Sequence, residues 1–242
     1  MTDAAVVTGA AGALGRAIAE RLADDVDALL LIDLPSESLQ ATEQSLSQST
    51  SARVTSIGCD ITATNTPSSI VKELASLALS PRILVNNAGI NRDSRATKMT
   101  DEHFRAVVNV DLVAPARLAM ELHPLMPNGS SVINIASRAA LGSFGQANYA
   151  AAKSGLVALT RALALLWAPT VRVNAVAPGL IDTPMTASMP KDVLAAMIER
   201  VPAGRMGEAA EVADLVAFCS SPAASYLTGQ LLLICGGRSI AP

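Results

Sequence analysis

The chain has 242 residues, half of them apolar, 16% charged and only 2% aromatic, with a formal net charge of −3. Such a balance excludes a disordered chain, and the lack of a Lys/Arg-rich run argues against a nucleic-acid partner. The core must be built from Ala, Val, Leu and Ile. The three cysteines, Cys59, Cys219 and Cys235, and the two histidines, His103 and His123, lack ligand spacing, so no metal site is expected.

Short apolar, β-branched runs alternate with segments of helical period. Strands are predicted over Ala4 to Thr8, Ala28 to Asp33, Arg53 to Gly58, Arg82 to Asn86, Ser131 to Ala136, Val171 to Ala177 and Leu231 to Ile234. Several are continuous apolar runs, as strands covered on both faces are. Helices are predicted near 13–24, 36–48, 67–79, 100–125, 148–167 and 208–220, the fourth opened by Thr100 with Asp101 and Glu102 at the positive end of its dipole. Strands joined by helical crossovers imply one doubly wound α/β (Rossmann) domain over 1–242, with a seven-stranded parallel sheet. The Pro-rich stretch from Gly179 to Gly207 is longer and more irregular than the other connections. It is expected to form a helical substrate lid near 184–206. The longest apolar stretch, Gly155 to Pro169, is interrupted by Arg161 and too short to span a bilayer. A strand starts almost at the first residue, leaving no room for a signal peptide. With an odd cysteine count, this points to a cytoplasmic protein without a membrane partner.

The first strand runs into Thr8-Gly9-Ala10-Ala11-Gly12-Ala13-Leu14-Gly15, and a helix follows. Small residues let the backbone turn tightly and approach a pyrophosphate, and the helix start offers free N–H groups to that anion. The alternative is a tight turn with no ligand. Asp33 ends the second strand, 18 residues after Gly15. There a carboxylate accepts from adenosine ribose hydroxyls and repels a 2′-phosphate, by ~4 kcal/mol for two unit charges ~4 Å apart at an effective dielectric of ~20. NAD is therefore expected over NADP, unless Asp33 is only a turn acid. Asp60, with Ile61, follows the third strand and is expected at the adenine, or as a cap of the next segment.

Tyr149 and Lys153 lie four apart on a predicted helix, so they share a face about 6 Å apart along the axis. A free tyrosine ionises near pH ~10. A neighbouring ammonium and a positive nicotinamide are expected to lower that by about three units, making Tyr149 a general acid/base for an alcohol and its ketone. Ser137, at the end of the fifth strand, would hydrogen-bond the substrate oxygen. A lone Tyr-x-x-x-Lys pair is usually an exposed helix face. A Ser at a strand end twelve residues earlier strengthens the reading.

With these motifs the whole chain resembles the short-chain dehydrogenase/reductase (SDR) family. Thr8-Gly9-xxx-Ala13-x-Gly15 is similar to its cofactor loop, Asn86-Asn87-Ala88-Gly89 to its post-strand motif, and Ser137…Tyr149-x-x-x-Lys153 to its active site. Pro178-Gly179 followed by Thr183 resembles its nicotinamide-side turn. The resemblance implies strand order 3-2-1-4-5-6-7, a homotetramer or homodimer through the helices at 100–125 and 148–167, and a small-molecule alcohol or ketone substrate. It also implies that Asn87, Ala88 and Gly89 line the cofactor cleft, that Lys153 binds the nicotinamide ribose, and that Ile181 and Thr183 contact the carboxamide. Asn109 matches the family's fourth catalytic residue, which bends the long helix and whose carbonyl anchors a proton relay. Gly12 stands where many NADP-using relatives carry a basic residue, which again implies NAD.

Substrate choice is expected in Ala139 to Gly145 and in Met185 to Met206. There Met185, Met189, Met197 and Met206 are either helix core or an adaptable pocket wall. Arg138, Lys191, Arg200 and Arg205 are either solvated charges or receptors for a substrate anion. The reading is an NAD-dependent alcohol/ketone oxidoreductase. Its rivals are an NADPH-dependent 3-oxoacyl-thioester (ACP or CoA) reductase, a catalytically inactive cofactor-binding scaffold, and a methyltransferase-like nucleotide fold.

Overall fold

The computed structural model describes residues 1–187 and 189–240, without the side chain of Met185. Seven strands form one parallel sheet: β1 (Thr2–Thr8), β2 (Ala28–Asp33), β3 (Arg53–Gly58), β4 (Leu79–Asn86), β5 (Ser130–Ile135), β6 (Val171–Pro178) and β7 (Leu231–Ile234). Their order is β3-β2-β1-β4-β5-β6-β7, the doubly wound arrangement expected. The order reverses between β1 and β4, and the crevice beyond their carboxyl ends is where such sheets bind ligands.

Helices cover both faces. On one, α1 (Ala13–Leu22), α2 (Glu37–Ser49) and α9 (Ala209–Ser220) pack on the sheet through Ile18, Leu22, Leu46 and Val216. On the other, α3 (Thr66–Ser76), α4 (Asp101–Val108), α5 (Ala114–Leu122) and α6 (Ala147–Trp167) lie over the sheet, with Ile70, Leu74, Leu118 and Leu163 in its core. β1 and β2 are buried along nearly their whole length, which accounts for their unbroken apolar sequence. Thr100 caps α4 by accepting from the His103 N–H at 3.2 Å, as its sequence position predicts.

Two elements differ from expectation. β4 begins at Leu79 rather than Arg82, and so includes Pro81. Pairing of β4 with β5 starts only at Ile83, so Pro81 forfeits no bond on that side, and a register shift between Ala4 and Ala5 accommodates it against β1. The helix predicted over 100–125 is instead two helices joined by a π turn, Asn109–Val113, followed by a 3-10 turn at His123–Leu125. The segment near 184–206 carries α7 (Pro184–Ala187) and α8 (Lys191–Glu199). The helix α6, with 21 residues and mean hydropathy 1.3, does have the length and composition of a membrane span. Its inner face, including Asn148, Lys153 and Thr160, is buried in the protein.

Candidate active site

β1 ends at Thr8, and Gly9 turns the chain with φ +67°, a conformation that favours glycine. A Cβ on Gly9 would lie 2.8 Å from the Ala88 backbone, and one on Gly15 would overlap the Gly9 carbonyl oxygen. Gly12 caps α1 with no side-chain hydrogen bond, so the first N–H groups of the helix remain available. Asp33 Oδ2 accepts from the Ala11 N–H at 2.8 Å and Oδ1 from the Leu34 N–H at 2.7 Å. Each oxygen keeps a second lone-pair direction. Asp60 caps the turn after β3, accepting at Oδ1 from the Thr62 N–H and hydroxyl at 2.8 and 2.7 Å, bonds that hold its carboxyl below the usual range. It is both a cap and a cleft residue.

All these groups line one cleft of about 820 Å³. Gly9, Gly12, Ala13, Leu14, Gly15, Asp33, Asp60 and Ile61 form one end. Asn87, Ala88, Gly89, Ser137, Tyr149, Lys153, Pro178, Gly179, Ile181 and Thr183 form the rest. Of the residues expected to act in catalysis or to hold the cofactor, Asn109 is absent from the lining, and of the Ala139 to Gly145 stretch expected to choose the substrate only Ala139 lines the cleft.

Ser137 opens a 3-10 turn and accepts from the Ala139 N–H at 3.1 Å. Its hydroxyl lies close enough to the Tyr149 phenol to favour the ionised form. The start of α6 is fixed by Asn148, which accepts from the Tyr149 N–H at 2.8 Å and donates to the Arg92 carbonyl at 3.0 Å. One turn on, the Lys153 ammonium donates to the Ile135 carbonyl at 2.9 Å and lies 5.5 Å from the Tyr149 ring centre. Its third contact is Asp111 Oδ2 at 3.2 Å. Asp111 Oδ1 accepts from the Ile90 N–H at 2.9 Å.

This corrects the expectation for Asn109. In the π turn Asn109 is exposed, and its carbonyl accepts from the Ala114 N–H. Two residues along a helix turn the side chain by about 200°, so Asn109 and Asp111 cannot share a face. Asp111 is the one that meets α6. In the chain by itself, without the nicotinamide charge that the expectation included, burial first and then the Asp111 charge push the Tyr149 phenol up to about 12, against a smaller opposing effect of the Ser137 hydrogen bond. Burial likewise pushes Asp111 above the usual carboxylate range and Lys153 below the usual ammonium range.

Around the outer cleft, Met189 and Met197 form lining, whereas Met206 lines a smaller neighbouring cavity and the Met185 side chain lies outside the described residues. Arg138 and Arg200 line the cleft, and so does Arg238, which the sequence reading did not single out. None of the three makes an ion pair among the described residues. Arg205 is instead paired with Glu211 at 2.7 Å, and Lys191 does not line the cleft. Among the described residues no three His, Cys, Asp or Glu side chains gather as a metal site would require.

A glycine turn at the switch point of a parallel sheet, facing a Tyr–Lys pair and a serine, defines a nicotinamide-dependent alcohol/ketone oxidoreductase. The chain belongs to the short-chain dehydrogenase/reductase family. A family model described as enoyl-(acyl carrier protein) reductase matches residues 9–239. The chain is 35% identical over 239 residues to the (2S)-[(R)-hydroxy(phenyl)methyl]succinyl-CoA dehydrogenase subunit BbsD of Thauera aromatica, covering 98% of this chain and 96% of that one. It is 37% identical over 237 residues to the 3-oxoacyl-[acyl-carrier-protein] reductase FabG of Escherichia coli, covering 96% of each. Among solved structures it is similar to a short-chain dehydrogenase/reductase (glucose/ribitol dehydrogenase) from Brucella melitensis, with TM-score 0.92, 34% identity, and coverage of 98% and 96%.

Proposed function

We propose that the chain is an NAD-linked oxidoreductase interconverting a secondary alcohol and a ketone, with Tyr149 as general acid/base. Lys153 partners it and clamps the nicotinamide ribose, and Ser137 donates to the substrate oxygen. The observation that carries this is the convergence of Ser137, Tyr149 and Lys153 on the cleft that Gly9 to Gly15 and Asp33 close at its other end.

The residues present fit a dinucleotide. The N–H groups at the start of α1, at Ala13 and Leu14, suit the pyrophosphate, Asp33 the adenosine ribose, and Asp60 and Ile61 the adenine. Ile181 and Thr183, beyond Pro178 and Gly179, suit the carboxamide. When bound, the nicotinamide supplies a hydride for reduction or accepts one for oxidation. Lys153 donates to the Ile135 carbonyl and lies in ion-pair contact with Asp111, and its ammonium has three donors, so a donor remains for a ribose hydroxyl. In reduction Tyr149 gives its hydroxyl proton to the carbonyl oxygen while Ser137 donates to the same atom. In oxidation the proton returns.

NAD is preferred because Asp33 faces the ribose and residues 34–52 contain no Lys or Arg. The nearby Arg16 is turned to the Ser45 hydroxyl at 3.0 Å. Arg138, Arg200 and Arg238, without an ion-pair partner among the described residues, suit a substrate with a carboxylate or phosphate. The same arginines, with the names of BbsD and FabG, favour a second reading: reduction of a 3-oxoacyl thioester. The whole chain serves as one nucleotide-binding domain, in the cytoplasm, as a homodimer or homotetramer. Exposed apolar side chains on α5 and α6, Met120, Leu165 and Leu166, suit that assembly.

Initial rates with NADH against NADPH, over ketones and 3-oxoacyl thioesters, separate the two readings. Tyr149→Phe tests both: turnover should fall at least ~100-fold with cofactor binding retained. Near-normal turnover would overturn the assignment.

A further inference from the structure

Asp111 and Lys153 are the two charged side chains withdrawn from solvent among the described residues, at 0% and 3% exposure. Burying a carboxylate is costly unless it is paired and hydrogen-bonded. The carboxylate is held at two points, by the Ile90 N–H at 2.9 Å and the Lys153 ammonium at 3.2 Å. Its place is maintained by the loop after β4: a Cβ on Gly89 would come within 2.9 Å of Asp111 Oδ2 and 3.4 Å of Lys153 Nζ. Three elements thus meet on this one pair, beside Tyr149.

The charged groups that face Tyr149 are Lys153 on its own helix, Asp111 from the π turn, and Asp93 from the loop after β4. Asp93 also accepts from the Gln146 amide at 3.0 Å. Arg138 and Arg200 line the same cleft from the turn after β5 and from the end of α8. An ammonium by itself would favour the phenolate. An ammonium in contact with a carboxylate presents almost no net charge at the ring, so its help is withdrawn.

We infer that Asp111 is a positioning residue that compensates the charge of Lys153, so that Tyr149 stands as a proton-donating phenol and the site is poised for ketone reduction. This rests on the oxidoreductase reading above. In the balanced step the carbonyl carbon gains a hydride from reduced nicotinamide. The π pair moves to oxygen, which takes the phenol proton, and solvent then reprotonates the tyrosine. Alcohol oxidation, which needs Tyr149 to accept a proton, is correspondingly confined to alkaline solution. The enzyme leaves the equilibrium unchanged; Asp111 sets the pH at which each direction is fast.

The chain has two tyrosines, and the other, Tyr226, is fully exposed. In a Tyr226→Phe background the near-ultraviolet absorbance of tyrosinate therefore reads Tyr149 alone, with no substrate present. The Asp111-containing protein should show no phenolate up to pH ~10, the ordinary midpoint. Asp111→Asn keeps the acceptor for Ile90 but loses the charge, and should lower the midpoint by about one to two pH units. Asp111→Glu should restore it. The alkaline limb of alcohol oxidation should move by the same amount. A folded Asp111→Asn protein with an unchanged midpoint overturns the inference. So does a parent Tyr149 that titrates at or below pH ~10, a result that stands even if Asp111→Asn does not fold. An inactive protein whose midpoint moves as expected would sink the oxidoreductase reading and leave the charge coupling intact.

Discussion

Thr8 and Asn87 lock the two ends of the switch point to each other. The Thr8 hydroxyl accepts from the Asn87 and Ala88 N–H groups, both at 3.0 Å, while the Asn87 amide donates to the Thr8 and Gly9 carbonyls at 3.0 and 3.1 Å. The nucleotide turn is therefore held by the loop after β4 as well as by its own glycines. Asn87→Ala should leave two carbonyls without their donor and cost about 1–3 kcal/mol, read as a lower Tm. It should also weaken cofactor binding more than it weakens the chemical step. A calorimetric titration with NADH checks this, and unchanged affinity would refute the coupling.

Asp33 does two jobs that can be separated. Its carboxylate organises the loop through Ala11 and Leu34, and under the proposed function it would also set the charge at the ribose. Asp33→Asn retains acceptor capacity but loses the charge. The ratio of kcat/KM for NADH over NADPH should fall by roughly one to two orders of magnitude, since a removed repulsion of ~1.4 kcal/mol is already tenfold. An unaltered ratio would show that the preference is set elsewhere.

Arg200 follows α8 at the cleft without an ion-pair partner among the described residues. If it meets a substrate anion, Arg200→Ala should raise KM about tenfold for an oxo acid or acyl thioester, with kcat little changed. A neutral ketone should be unaffected. Equal effects on both would remove the anion from the substrate description.

Glu211 anchors the C-terminal end of the segment between β6 and α9. It accepts from Arg205 at 2.7 and 2.8 Å and from the Glu208 N–H at 2.8 Å, and these bonds hold its carboxyl down to about 2. Its folded-state value lies below the ordinary one, so its contribution is present above pH ~4.5 and fades as pH falls toward 2. The pair is solvent-exposed, so the effect is small and salt-sensitive. Glu211→Gln should flatten the acid limb of a Tm-against-pH curve, with the difference vanishing below pH ~2. A variant curve parallel to the parent between pH 2 and 6 would show that the pair contributes nothing.

Much of the fold is written locally. The β1 and β2 runs are apolar throughout because both faces are covered, and Thr100 with its two acids marks a helix start wherever it occurs. Tyr149 and Lys153 share a face because a helix has a fixed pitch. Pro81 was harder to place. A proline argues against a strand unless the neighbouring strand starts later, and that depends on β5. The arginines were illegible one by one. Arg200 and Arg205 are five residues apart, yet among the described residues only Arg205 is paired with a carboxylate.

The amino-acid sequence by itself determined the strand and helix succession, the glycine turn and the shared face of Tyr149 and Lys153, because each depends on backbone sterics and helical or strand period over a few residues, while Asp33 and Ser137 joined them through strand ends and the family resemblance. Only the tertiary structure decided that Asp111 rather than Asn109 faces Lys153. That choice is made where α6 packs on the π turn so closely that a Cβ on Gly155 would lie 2.7 Å from Leu112. Helical period says that residues two apart point in opposite directions, but which one points inward is a property of the neighbouring helix.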